Sequence, residues 1–382
     1  MVSIKDSVVK WYITNVVMPK VEIFDKPGFI VTKFTFKGRE TYQRVLFLPE
    51  KLFENLEIKI VERYGCEGKQ RLYSAGKKFG YRFSKVCNFP NIQEVSKKEF
   101  MDFVDNFMMF VGVKWATKTE HKIDFKLKRF WFGAEEYIIC RNNGLGYLML
   151  EGCDTGWWAY MVNDVSTEGA QVKCQGKNHD KCELICAHHD VLLKENIKFF
   201  TEQDISVKKF DQSYADINKI CKAEHADLSL RDLINSGVFS YFGKRVLKFK
   251  NERHFPCEVG LIYLLEIEMK KLKNGQEILF NTSFDYGKKL AKNEAKVGYR
   301  KFITDYMSAL GWGDILVTKK SGKYKIYSKH FPWTEFLDEV DFTIYRGILS
   351  GLLSEFLDEK ILLKQKDKQV YSDSLLVAVS QR

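Results

Sequence analysis

The feature that most constrains this chain is that it repeats itself. Ser3-Ile4-Lys5-Asp6 returns as Ser229-Leu230-Arg231-Asp232, and Tyr73-x-x-Gly76-Lys77-Lys78-Phe79 returns as Phe284-x-x-Gly287-Lys288-Lys289-Leu290. Phe103, Val104, Phe107, Met108, Val111 and Gly112 correspond without a gap to Phe302, Ile303, Tyr306, Met307, Leu310 and Gly311. Gly156 then matches Gly347, and Val172-Lys173 matches Leu363-Lys364. The offset between partners falls from 226 to 211, 199 and 191, so the first copy carries insertions between the matched blocks, where loops accept them. Two divergent copies of one unit are expected: residues 1–190, a charged and partly helical connector over 191–226, and residues 227–382. A duplicated unit carries the same surface twice, so the copies should pack on each other as an intrachain pseudo-dimer.

Within a copy the pattern predicts an α+β domain, helices on a small antiparallel sheet. Val21–Phe24 and Phe29–Phe36 have the β-branched and aromatic content of strands. Pro49 suits position N1 of a helix over Lys51–Tyr64. The Tyr73–Phe83 block continues as helix, and Gly76 and Gly80, one turn apart, suit close approach of a second helix. Phe100, Phe103, Val104, Phe107 and Val111 form a 3.6-residue stripe, with Gly112 placed to close that helix. An extended segment through Ile123, Phe125, Leu127 and Phe130 follows, then a helix over Asp154–Asn163. The copy ends in a hairpin with strands Ala170–Cys174 and Cys182–Cys186.

Charge and composition exclude more than they assign. Lysine and arginine exceed aspartate and glutamate by 61 to 50, but the excess of +11 is spread out. Lys244–Lys250 alternates with apolar residues like one face of a strand, and no nucleic-acid surface is evident. No apolar run approaches the roughly 20 residues that cross a bilayer. Lys5, Asp6 and Lys10 interrupt what would be the apolar core of a signal peptide, so a cytoplasmic protein is expected. Nine cysteines, an odd number, argue against a disulfide framework.

The cysteines cluster. Cys174 and Cys182 straddle a polar loop containing Gly176, Asn178 and Asp180, turn chemistry that sets both thiols at the base of a hairpin. Cys153, just before the helix over Asp154–Asn163, can approach from the side. Three thiolates so gathered predict one structural zinc, with His179 or another nearby group completing the set. Gln171 and Cys186 are the other candidates for that place. The second copy has Ile344, Gln365 and Asp373 at the corresponding positions, so one ion per chain is expected, not two. Buried thiols without metal are the plain alternative.

Tyr73-x-x-Gly76, Gly112, Cys153-Asp154-Thr155-Gly156 and Gln171-x-x-Cys174-x7-Cys182 together resemble the 4-vinyl-reductase domain of bacterial and archaeal sensor proteins. Gln171 departs from the family, whose zinc-binding members carry a glutamate there. The resemblance implies the fold shared with haem nitric-oxide sensors and TRAPP vesicle-tethering subunits. It also implies binding of small hydrophobic molecules and dimerisation. The domain's name comes from a role proposed in reducing a tetrapyrrole vinyl group.

The function expected is a non-enzymatic module that binds a small hydrophobic molecule and signals through a protein partner. Its pocket would draw on Trp131 and Phe132, and on Trp157, Trp158 and Tyr160; packing of the same rings in a core is the plain alternative. A Trp-Trp pair on one helix is expected to leave one ring at an interface or pocket mouth. A scaffold that uses the duplicated domain for protein contacts is the alternative function. Enzymatic readings, a tetrapyrrole reductase included, find no GxGxxG after a strand, P-loop, HExxH or GxSxG. His188-His189 is expected to be an exposed turn rather than a catalytic base.

Overall fold

The β-branched and aromatic content of the first strands gives way to helical spacing after Pro49, and the backbone follows. The computed structural model describes Val8 and residues 22–36, 38–139, 144–206, 223–242, 246–292, 294–296, 298–333, 339–365, 370–371 and 374–380. Ser3–Asp6, Lys10, Val21, Lys244 and Asp373, all named above, lie outside these residues. The fold is α+β, with helices packed on antiparallel sheets.

Strands β1 (Glu22–Lys26), β2 (Phe29–Phe36) and β3 (Arg39–Pro49) lead into a long helix α1 (Glu50–Val86) and then α2 (Lys97–Lys114). The hairpin β4 (Lys118–Asp124) and β5 (Arg129–Glu135) follows, then helix α3 (Leu148–Met161) and strands β6 (Thr167–Lys173) and β7 (Cys182–His188). A short helix α4 (His189–Lys194) starts the connector, and α5 (Leu230–Asn235) lies beyond it. Strands β8 (Phe239–Phe242), β9 (Val246–Phe249) and β10 (Glu252–Glu258) precede helices α6 (Gly260–Lys270), α7 (Gly275–Ala291) and α8 (Tyr299–Ala309). The chain closes with β11 (Asp314–Lys320), β12 (Lys323–Lys329), α9 (Thr343–Leu357), β13 (Leu363–Lys364), β14 (Val370–Tyr371) and β15 (Ser374–Ser380).

One six-stranded sheet runs β1-β2-β3-β10-β9-β8, so β3 and β10 pair antiparallel across the middle, from His254 opposite Pro49 to Glu258 opposite Val45. Two further sheets have the orders β4-β5-β7-β6 and β11-β12-β15-β13. Helix α1 bends where Gly65 takes φ 56°, and the corresponding stretch of the later half is broken into α6 and α7. Buried ion pairs cross between the halves: Arg82 to Glu258 at 2.9 Å and Lys78 to Glu268 at 2.8 Å.

Several sequence expectations shift by a turn or a few residues. Pro49 is the residue before the helix rather than its first. Gly112 does not close α2; its φ stays helical, it faces the Thr119 side chain, and the helix runs on to Lys114. Helix α3 begins at Leu148 instead of Asp154, so Cys153 lies in its middle. The reason is that α3 is apolar on nearly every side, which hides a periodicity-based start. The same burial brings Trp157 and Trp158 both inside, at 2% and 0% exposure, against the expectation that one would reach a surface.

Glycines set how α1 and α3 cross. A methyl on Gly76 would overlap the carbonyl of Met149, one on Gly80 that of Cys153, and one on Gly152 or Gly156 those of Tyr73 or Lys77. In the later half, Gly287 faces the carbonyl of Ile348, and Gly347 and Gly351 face those of Phe280 and Phe284. Gly287 thus meets Ile348 as Gly80 meets Cys153, a different matching from the Gly76–Gly287 and Cys153–Ile344 pairs read from the sequence. Each crossing carries a second shared device. The Glu57 carboxylate accepts the Met149 N–H at 2.9 Å, and Glu266 accepts that of Ile344 at 3.3 Å, both in the first turn of the central helix. Neither helix has a side-chain cap of its own, and an acid at a helix N-terminus meets the positive end of its dipole. Burial pushes Glu57 up to about 8 and Glu266 to about 7.

Candidate functional site

The terminal hairpin of the first half brings two of the expected metal ligands together. The Cys174 and Cys182 sulfurs lie 4.0 Å apart, both fully buried, at the ends of β6 and β7. The loop between them folds back so that the Gly176 N–H meets Cys174 Sγ at 3.3 Å and the Gln175 N–H meets Cys182 Sγ at 3.5 Å. His179 Nδ1 lies 3.1 Å from the carbonyl oxygen of Cys174 and 3.3 Å from its backbone nitrogen, so that ring nitrogen faces the loop backbone.

Cys153 does not join them. Among the described residues no third His, Cys, Asp or Glu ligand atom lies within 4.8 Å of both sulfurs. Burial pushes the Cys153 thiol up, with Asp154 and then Cys257 adding to the effect, so its nearest ionisable neighbours are different ones. Cys186 points at the Thr155 hydroxyl, 3.8 Å away. The group that does gather ligand atoms is His188, His189 and Asp190, at the turn from β7 into α4, with the two imidazoles stacked at 4.4 Å.

The five aromatic residues expected to line a pocket fall in three places. Phe132, Trp157 and Trp158 are core. Trp157 Nε1–H donates to the buried Asp154 carboxylate at 3.2 Å, and the Tyr137 hydroxyl lies 3.0 Å from the same group. Burial pushes Asp154 up to about 7. Trp131, the next residue along β5, takes the opposite face of the sheet and packs with Ile185, Ala187 and Leu192. Tyr160 packs edge-on to Tyr81 at the margin of α3.

A groove that sequence reasoning missed opens between β2 and α2. It holds about 340 Å³ and is walled by Phe34 and Phe36 on the strand and Phe103, Phe107 and Phe110 on the helix, with Asp102 at its rim. The rings are ordered against one another: Phe36 meets Phe103 edge-on at 5.2 Å, and Phe103 and Phe107 stack at 6.2 Å. Phe107 in turn stands edge-on to Trp157 at 5.3 Å, so the groove wall rests on the core of the first half. Helical spacing marked Phe103 and Phe107 as a buried stripe. What it could not supply was the strand that leaves part of that stripe uncovered.

No family model matches the chain, and no curated protein matches it, so the 4-vinyl-reductase resemblance rests on its short motifs. Among solved structures, the phenol-responsive sensory domain of the transcription activator PoxR, with phenol, is similar at a TM-score of 0.35 and 14% identity. That match covers 47% of this chain and 90% of that one. A likeness so slight carries no argument about ligand or mechanism.

Proposed function

We propose that the chain is a non-enzymatic sensory module that binds a small, largely apolar molecule in the groove between β2 and α2 and signals through a protein partner. The phenylalanine-walled groove is the observation that carries this reading. Its volume of about 340 Å³ suits a one- or two-ring compound, and five phenylalanines line it beside Lys33, Thr35, Glu99, Asp102 and Asn106, which could meet a polar group on such a compound. A ligand there would press on Phe107 and hence on Trp157, giving the core a way to register occupancy. The test is titration of the chain with indole and 2-naphthol, read by thermal shift and tryptophan fluorescence. Saturable binding is expected, weakened at least tenfold by Phe103→Ala, a loss of about 1.4 kcal/mol. Absence of saturation with both probes, or equal binding by the variant, would overturn the assignment of the groove.

In the same reading the two halves are copies of one unit packed as a pseudo-dimer. The shared order of elements, the glycine crossings and the paired Glu57 and Glu266 caps support it.

Zinc remains part of the proposal in narrower form. Cys174 and Cys182 fit two corners of a tetrahedral ion, and the described residues do not complete the set. A bound zinc would supply no chemistry beyond tying the two strands of the hairpin together. Cys174→Ser should lower metal content, measured by elemental analysis, and Cys153→Ser should leave it unchanged. Unchanged metal content in Cys174→Ser would remove the hairpin thiols from the set.

A further inference from the structure

The two halves treat the same face of their smaller sheets differently. In the first half that face is covered by the start of the connector, with Val191, Ile197 and Phe199 packed near Trp131. Most of its cations are neutralised, Lys118 by Glu135, Lys173 by Glu183, Lys181 by Glu120 and Arg129 by Glu195, while Lys122 lies over the Trp131 ring. The hairpin of β11 and β12 in the second half carries Lys319, Lys320, Lys323 and Lys325, none in an ion pair among the described residues. The acid of this hairpin, Asp314, is occupied, accepting the backbone N–H groups of Glu224 at 2.7 Å and Ala226 at 2.9 Å. Lys319, directly opposite the buried Tyr324, takes the other side of this sheet, where Arg300 also lies. The Arg300 Nε–H donates to the Tyr299 hydroxyl at 3.2 Å, Tyr299 bonds Tyr324 at 3.3 Å, and the Lys319 ammonium stands 5.0 Å from the Tyr324 ring.

Folding does not require this arrangement. Lysines on an edge strand discourage edge-to-edge pairing, which accounts for those on β11. It does not account for Lys323 and Lys325, because β12 is flanked on both sides, by β11 and β15. Lys320 stands directly opposite Lys323, a like-charge pair that weakens a sheet.

We propose that this face binds single-stranded nucleic acid along its phosphate backbone. Lys323 and Lys325 share a face at about 6.6 Å spacing, and Lys320 on the neighbouring strand stands opposite Lys323, about 4.8 Å away. Such flexible point charges track a chain of phosphates, and half-buried Tyr327 beside Lys325 on that face offers a ring for a base. A flat sheet face has no helix to enter a duplex groove, which favours a single strand.

The test is fluorescence anisotropy of labelled 20-nucleotide oligo(dT) and oligo(U) with the full chain. With three phosphates contacted, affinity should fall about twentyfold between 50 and 200 mM salt. Lys320→Ser/Lys323→Ser/Lys325→Ser should lose at least tenfold in affinity and flatten the salt dependence, with the melting temperature kept or raised. Lys118→Ser/Lys122→Ser, on the first sheet, should bind as the parent does. No binding at 50 mM salt, equal loss in both variants, or capture by phosphatidylserine vesicles but not by oligonucleotides would each overturn the proposal.

Discussion

Gly80→Ala should destabilise the protein by about 2–3 kcal/mol, read as a lowered midpoint of urea unfolding at unchanged slope. Two effects oppose each other. Alanine is the better helix former, by roughly 1 kcal/mol in an exposed helix. Against that, the added methyl would occupy the space of the Cys153 carbonyl, and neither it nor the neighbouring Trp157 backbone can swing aside as a side-chain end would. The helices must separate, and the gap opens contacts along the whole α1–α3 seam, so the steric term wins. Gly287→Ala should cost a similar amount, because its methyl would meet the Ile348 carbonyl in the same way. A stabilised Gly80→Ala variant would show that the seam is looser than its geometry.

Lys77→Met should cost more, about 3–5 kcal/mol. Lys77 and Glu168 form a 2.8 Å ion pair with no exposed side-chain surface on either partner. The Tyr73 hydroxyl also donates to Glu168 at 2.6 Å, and the Glu202 N–H at 3.0 Å. Burial holds Lys77 below its usual range and Glu168 above its own, so each charge is expensive even when paired. Removing the cation alone leaves a carboxylate with two donors but no counter-charge. Lys77→Met/Glu168→Gln should recover most of the loss, since the amide keeps an acceptor for Tyr73 and carries no charge. A single variant losing less than 1 kcal/mol would mean that water or another cation reaches Glu168.

The α+β class, the strand Phe29–Phe36, the long helix after Pro49 and the closing hairpin were all legible in the sequence, because each has one apolar face and a turn signal beside it. Helix α3 was legible as a helix but not in extent. Thirteen of its fourteen residues are buried, so no polar face marked where it began, and Cys153 was misplaced as a result. Strand β3 escaped notice because polar residues fill its first half and the apolar run Val45–Leu48 its second, without regular alternation. For the site, local turn chemistry was enough to bring Cys174 to Cys182. Partners distant in sequence were not predictable: the groove needs β2 against α2, and the Glu57 cap needs a residue 92 positions from its N–H. Glu57, at helical spacing from Phe53 and Ile60, interrupts an apolar helix face, and that was the available signal.

The central pairing of β3 with β10 also fixes the order of events on the ribosome. The edge that presents Val45, Leu46, Phe47 and Leu48 finds its neighbour strand only when the residues from His254 to Glu258 have been made. At 5–20 residues per second, the intervening two hundred or so residues take roughly 10–40 seconds to synthesise. For that interval the nascent first half carries an apolar, unpaired strand border, the kind of surface that recruits other chains. Newly made chains, rather than mature ones, are therefore where chaperone dependence and aggregation of this protein should concentrate.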